Sequence, residues 1–215
     1  MIKKDYKVWY FDCDGVLLDS NRIKTEAFYQ VALPYGKEEA EKLVAFHKEY
    51  GGISRFEKFR HLFHNILSRK DPQLVDQAVL DFGKIVQEKL LECSETLKMR
   101  EFLESLPRDS KKYVISGGKQ VELREVFQTR GLAKYFDGIF GSPDPKEVIM
   151  KNLSAANPTN HPAIFVGDSQ YDHKTALQFE VDFVFLSQYT EFSHWERYFK
   201  DYHNVVLVNN FSELM

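Results

Sequence analysis

Apolar residues along this chain follow two regimes. Over 6–11, and again beyond about residue 98, they come in short runs rich in Val, Ile and Phe, as buried strands do; over roughly 21–94 they recur at three- and four-residue spacing, as amphipathic helices do. In that middle stretch Ile23, Ala27 and the run 29–33 predict one helix ended by Pro34, and 38–50 predicts a second ended by Gly51-Gly52. A third covers 53–67. Asp71-Pro72 has the form of an N-cap followed by proline in the first turn, and opens a fourth helix on which Leu74, Ala78, Phe82, Ile85 and Leu90 repeat at helical spacing.

The C-terminal half alternates. The pattern predicts helix 99–106, strand 112–115, helix 120–130 stopped by Gly131, strand 138–140, helix 146–155, strand 163–166, helix 171–179, strand 183–186 and a last strand 205–208. Such alternation implies an α/β fold, a doubly wound and mostly parallel sheet covered on both faces. The strand over 6–11 belongs to that sheet, so the helical stretch is an insertion: 1–20 and 95–215 form the core, and 21–94 an all-helical cap.

That first strand runs into two carboxylates one residue apart, Asp12 and Asp14, followed by Gly15. Side chains alternate faces along a strand, so both acids leave its end pointing the same way while glycine lets the backbone turn. Two acids in one pocket repel unless a cation sits between them or one stays protonated. Cys13 lies between them, and the same alternation turns it inward as a packing residue.

In an open parallel sheet, ligands bind beyond the carboxyl ends of the strands. The residues there are Asp12 and Asp14, then Ser116-Gly117-Gly118, then Lys146, then Gly167-Asp168 with Asp172 a turn later. Together they supply acids for a divalent cation, a hydroxyl and glycine amides for phosphate oxygens, a lysine for charge, and helix N-termini facing an anion.

Composition narrows the partners. With 29 basic and 32 acidic residues in 215, the chain carries a net charge of −3 and its basic residues are dispersed, which argues against nucleic acid. No run approaches a membrane span, and the charged N-terminus has no apolar stretch of a leader, so a cytoplasmic protein is expected. Two cysteines, Cys13 and Cys93, make no disulfide framework, and the seven histidines show no metal-binding spacing.

The stretch over 12–20, Asp-Cys-Asp-Gly-Val-Leu-Leu-Asp-Ser, together with Ser116, Lys146 and the Gly-Asp-x-x-x-Asp spacing of Gly167, Asp168 and Asp172, resembles the four motifs of the haloacid dehalogenase-like superfamily. Within it, the chain is similar to the helical-cap phosphatase and phosphomutase branch, typified by phosphoglycolate phosphatases and β-phosphoglucomutases. Lys146 is followed by Glu147 where many members carry proline. The resemblance implies a Rossmann-like core and a Mg²⁺-dependent phosphatase acting on a small phosphorylated metabolite. It implies Asp12 as the nucleophile that forms an aspartyl-phosphate, and Asp14 as general acid and base lending its carbonyl to the metal. Ser116, Gly117 and Lys146 would hold the transferring phosphoryl group; Asp12, Asp14 and Asp168 would hold Mg²⁺, with Asp172 behind them or joined through water. The segment Gly52-Ile53-Ser54-Arg55 resembles the substrate-facing cap loop of β-phosphoglucomutase-like members, which makes Arg55 a candidate for gripping a distal anionic group. A phosphomutase is the nearest alternative, and a non-catalytic phosphometabolite-binding protein the alternative of another class. A dehalogenase is disfavoured by Asp14.

Overall fold

A computed structural model of the chain describes residues 5–156 and 161–215. Its centre is a six-stranded sheet of β1 (Val8–Phe11), β2 (Lys111–Lys119), β3 (Gly138–Ser142), β4 (Ala163–Gly167), β5 (Asp182–Leu186) and β6 (Val205–Val208), in the order β3-β2-β1-β4-β5-β6. Every pairing is parallel, so the expected mostly parallel sheet is wholly parallel. The strand order reverses direction between β1 and β4, which opens a crevice beyond the carboxyl ends of those two strands. Phe11 stands opposite both Val114 and Val166, so Asp12, Ile115 and Gly167 reach the rim at one level.

Period-2 alternation sorts β1 between two apolar layers. Trp9, Phe11 and Cys13 join one core with Met99 and Phe102 of α5 (Met99–Ser105) and Leu123 and Phe127 of α6 (Gln120–Thr129). Val8 and Tyr10 join the other, with Ile149 and Met150 of α7 (Lys146–Ala156) and Ala176 of α8 (Gln170–Gln178). Cys13 is fully buried in the first layer, as alternation predicts.

The inserted helices are α1 (Asn21–Ala32), α2 (Lys37–Glu49), α3 (Arg55–His61) and α4 (Pro72–Glu92). Their apolar faces meet through Phe28, Phe59 and Phe82, and this cluster is continuous with the first sheet layer. Asp71 caps α4 as its sequence predicts, its Oδ1 accepting from the Gln73 N–H at 2.9 Å, with Pro72 in the first turn. Three expectations are corrected. The third helix does not run over 53–67: Ser54 caps its start, and Leu62–Ile66 widens into a π-helical turn. Pro34 lies inside a short 3₁₀ turn, Leu33–Tyr35, rather than ending the helix outright. The strand expected over 112–115 extends to Lys119, which pairs with Ser142 after an irregularity in register. One helix was not foreseen, α9 (Trp195–Phe199), whose Trp195 and Phe199 rings pack on Phe185. No helix among the described residues is long and apolar enough to cross a membrane.

Candidate active site

Asp12 leaves β1 with its N–H donating to the Val166 carbonyl at 2.9 Å, so the last rung of the sheet aims its carboxylate into the crevice. Three residues on, the chain folds back, and the Gly15 N–H donates to the Leu18 carbonyl at 2.8 Å. Gly15 has φ +72°, and a Cβ there would stand 2.3 Å from both Asn21 Nδ2 and Asp168 Oδ2. Only glycine can make this turn so close to the opposite carboxylate.

Across the switch point, β4 delivers Asp168 and then α8 begins. Ser169 is its N-cap, and its Oγ accepts from the Asp172 N–H at 3.2 Å while the Ser169 N–H donates to Asp172 Oδ2 at 3.1 Å, a reciprocal capping box. Asp172 Oδ2 also accepts from Ser169 Oγ at 2.6 Å, and Oδ1 accepts from Lys146 Nζ at 2.5 Å. Both oxygens of Asp172 are therefore engaged by protein donors.

Lys146, the first residue of α7, is 1% exposed and bridges two acids, with Nζ 2.9 Å from Asp12 Oδ1 and 2.5 Å from Asp172 Oδ1. Burial alone would favour the neutral amine, but Asp12 and Asp172 hold it firmly as an ammonium. One ammonium does not balance three acids. Ligand atoms of Asp12, Asp168 and Asp172 lie within 4.8 Å of one another, all buried. Burial pushes the Asp12 carboxyl up to about 7; Lys146 pulls against this while Asp172 and Asp14 add to it. Asp168 is raised well above the carboxylate range by burial and then by Asp12 and Asp172. Asp12 Oδ1 lies in ion-pair range of Lys146 but lacks a well-aligned hydrogen bond. Crowded, under-neutralised, all-oxygen donors of this kind suit a hard divalent cation.

The third side of the crevice is the end of β2. Ser116 is fully buried, and its Oγ accepts from the Gly118 N–H at 3.0 Å. Gly117 touches the insertion, since a Cβ there would fall 2.2 Å from the Gly52 carbonyl oxygen.

The fourth side comes from the inserted helices. Asp12 and Asp14, expected to share one pocket, both line the cavity but take different partners. Asp14 accepts from Ser20 Oγ at 2.6 Å and is ion-paired to Lys24 of α1. Burial would raise its carboxyl, but Lys24 and the hydrogen bonds from Lys24 and Ser20 bring it below the ordinary value. Asn21 Nδ2 donates to Asp168 Oδ2 at 2.7 Å, and Thr25 donates to Glu191 on the loop after β5. Arg55 lines the same cavity; its guanidinium is ion-paired to Glu122 of α6 and lies 5.0 Å from the Phe82 ring centroid. Glu147, standing where proline is common, accepts from Tyr171 OH at 2.6 Å and ties α7 to α8.

The structure thus brings Asp12, Lys146, Asp168 and Asp172 into one cluster, with Asp14, Ser116, Gly117 and Arg55 on the surrounding walls. Sequence reasoning missed Asn21, Lys24, His47, Lys58 and Glu191, all of which line the cavity. For Lys24 a signal existed: Ser20, Lys24 and Phe28 recur at i, i+4 from the end of the acidic motif, so one face of α1 meets the crevice.

The family model for haloacid dehalogenase-like hydrolases matches residues 10–186. The chain is 29% identical over 168 residues to a phosphorylated carbohydrates phosphatase of Thermotoga maritima, covering 74% of this chain and 75% of that protein. Its fold is shared with a Clostridium acetobutylicum protein described as a predicted phosphatase (TM-score 0.75, 21% identity, 97% and 96% of the two chains). A β-phosphoglucomutase of Clostridium difficile has the fold too (TM-score 0.73, 16% identity, 98% and 93% of the two chains).

Proposed function

The chain belongs to the haloacid dehalogenase-like hydrolase family, and from that membership and the site geometry we propose that it is a Mg²⁺-dependent phosphatase of small phosphorylated metabolites, phosphorylated carbohydrates among them. The observation that carries this reading is the buried trio Asp12, Asp168 and Asp172 with Lys146 bridging Asp12 and Asp172.

In this reading Asp12 attacks phosphorus and becomes an aspartyl-phosphate, which divides one difficult displacement into two. Lys146 opposes the rise that burial imposes on the Asp12 carboxyl and offers positive charge to the phosphoryl oxygens. Ser116 Oγ–H and the Gly117 amide supply further donors at the end of β2. Asp14 would act as general acid and base: held as a carboxylate by Lys24 and Ser20 it is set to take the proton of the attacking water, and to protonate the leaving alcohol it must first acquire a proton and give up the Lys24 contact. Asp12, the Asp14 carbonyl and Asp168 would hold Mg²⁺, whose charge offsets repulsion between the acids and the incoming phosphate. Asp172, with both oxygens spent on protein donors, supports Lys146 and the α8 cap instead. The helices over 21–94 act as a cap that excludes water and reads the leaving group, with Arg55 among its substrate-facing residues.

Phosphate release from p-nitrophenyl phosphate and from a panel of phosphorylated sugars and acids, with Mg²⁺ and with chelator, tests the reading. Metal-dependent turnover lost in Asp12→Asn is expected; metal-independent turnover, or equal rates for the variant, would overturn it. Incubation with β-glucose 1-phosphate and a trace of the bisphosphate separates a mutase, which makes glucose 6-phosphate, from a phosphatase, which frees inorganic phosphate.

A further inference from the structure

Basic side chains lining the cavity are paired with acids, with one exception. Lys24 is matched by Asp14, Lys48 by Glu191 at 3.6 Å, and Arg55 by Glu122. Lys58 of α3 makes no ion pair among the described residues, although it is 3% exposed. Its Nζ has one hydrogen-bond partner, Nδ1 of His47 on α2, at 2.6 Å, and lies 5.3 Å from the Phe28 ring centroid. As an ammonium it can only donate, so Nδ1 accepts and the ring proton sits on Nε2. That Nε2 is also buried without a hydrogen-bond partner, 3.8 Å from Glu191 Oε2. A buried ammonium with unused N–H groups beside an imidazole with a spare N–H is costly in a free protein and well matched to an arriving anion.

We infer that Lys58 and His47 form a subsite in the cap for a second anionic group, a carboxylate or a second phosphoryl group, on the substrate's leaving portion. The subsite is separate from Arg55, whose guanidinium is already neutralised by Glu122. The placement rests on the phosphatase reading, which puts the transferred phosphoryl group at Asp12, a residue lining the same cavity, with Lys146 beside it. Neighbouring phenyl rings, Phe28 and Phe82, exclude water from the subsite and so sharpen the discrimination between charged and neutral groups. The preferred substrates are then phosphate monoesters of a hydroxy acid, or bisphosphates, over neutral alkyl or aryl phosphates.

Binding of non-hydrolysable phosphonates, measured by titration calorimetry with Mg²⁺ present, tests this without turnover. Phosphonoacetate, 3-phosphonopropionate and 4-phosphonobutyrate would be compared with alkylphosphonates of matched length and with the corresponding α,ω-bisphosphonates. At one chain length at least, the doubly anionic ligand is expected to bind tenfold or more tightly than its neutral-ended counterpart, and Lys58→Met to erase that ratio. The carboxylate and bisphosphonate arms identify which anion is preferred. Equal affinities at every length in the unaltered protein, or a ratio that survives Lys58→Met in a variant with native circular dichroism, would overturn the subsite. Turnover of p-nitrophenyl phosphate is scored separately: its absence alongside an intact tenfold ratio counts against the phosphatase and for the subsite.

Discussion

Lys24 on the first inserted helix and Asp14 on the turn after β1 form an ion pair across the crevice, both of them largely buried. The pair joins the first inserted helix to the rim of the crevice, and among the described residues neither member forms an ion pair with any other side chain.

Removing one partner leaves the other charged and buried. Lys24→Met is expected to cost roughly 3 kcal/mol of unfolding free energy, the usual scale for breaking a buried pair, and Asp14→Asn in that background to recover most of it. Urea denaturation of the two single variants and the double variant measures this; an additive double variant would show the two residues to be uncoupled.

Lys146 bridges two acids at once. Lys146→Met should lower kcat/KM by about 10²-fold or more and stability by roughly 3–5 kcal/mol, because Asp12 and Asp172 lose their shared cation. Steady-state kinetics and thermal melting check both.

Asp12 and Asp168, with the Asp14 carbonyl, should bind a divalent ion in the folded state only. Mg²⁺ at about a hundred times its Kd is expected to add roughly 2.7 kcal/mol, and so to raise Tm by several degrees relative to chelator. In Asp168→Asn that increment should be largely gone, as differential scanning fluorimetry would show.

Lys58 gives a pH dependence of defined sign. Burial, and then the charge of Lys24, lower its ammonium to about 7 against partial opposition from Asp14 and Glu191, while burial and Lys58 keep His47 neutral. The unfolded chain holds the proton up to about 10.5, so the folded state releases it as pH rises from 7 toward 10.5 and gains stability over that window. The cost is present in full below 7. Lys58→Met is therefore expected to stabilise the protein by an amount on the order of a few kcal/mol at pH 6.5, shrinking toward zero near pH 10.5. Melting curves at the two ends would contradict this if the gain were equal at both.

Arg55 and Glu122 connect α3 to α6. A double-mutant cycle with Arg55→Gln and Glu122→Gln should return a coupling of about 1 kcal/mol in stability, and a KM effect of Glu122→Gln smaller than that of Arg55→Gln. A coupling near zero would separate the two residues.

What could be read ahead of the structure was whatever a parallel sheet fixes by itself. Asp12 and Asp168 follow strands, and Ser116 lies near the end of one, whose carboxyl ends must share a rim, and Lys146 opens the helix after β3, so their grouping follows from topology. The register past Ile115 was hidden because Gly117 and Gly118 carry no apolar signal through the end of β2. Lys58 and His47 were hidden for another reason: they sit on separate helices, and only the rotation of α2 against α3, set by Phe28, Phe59 and neighbouring rings, brings their nitrogens to 2.6 Å. Asp172 illustrates an overlap, since its spacing from Asp168 suits both a metal site and the capping box it makes with Ser169.

Gly117 and Gly52 meet backbone to backbone, with 2.2 Å between the carbonyl oxygen of one and the point where a methyl on the other would begin. A side chain at position 117 would have to displace main-chain atoms across this seam, so hydrogen is the largest substituent the join between insertion and sheet accommodates without a shift.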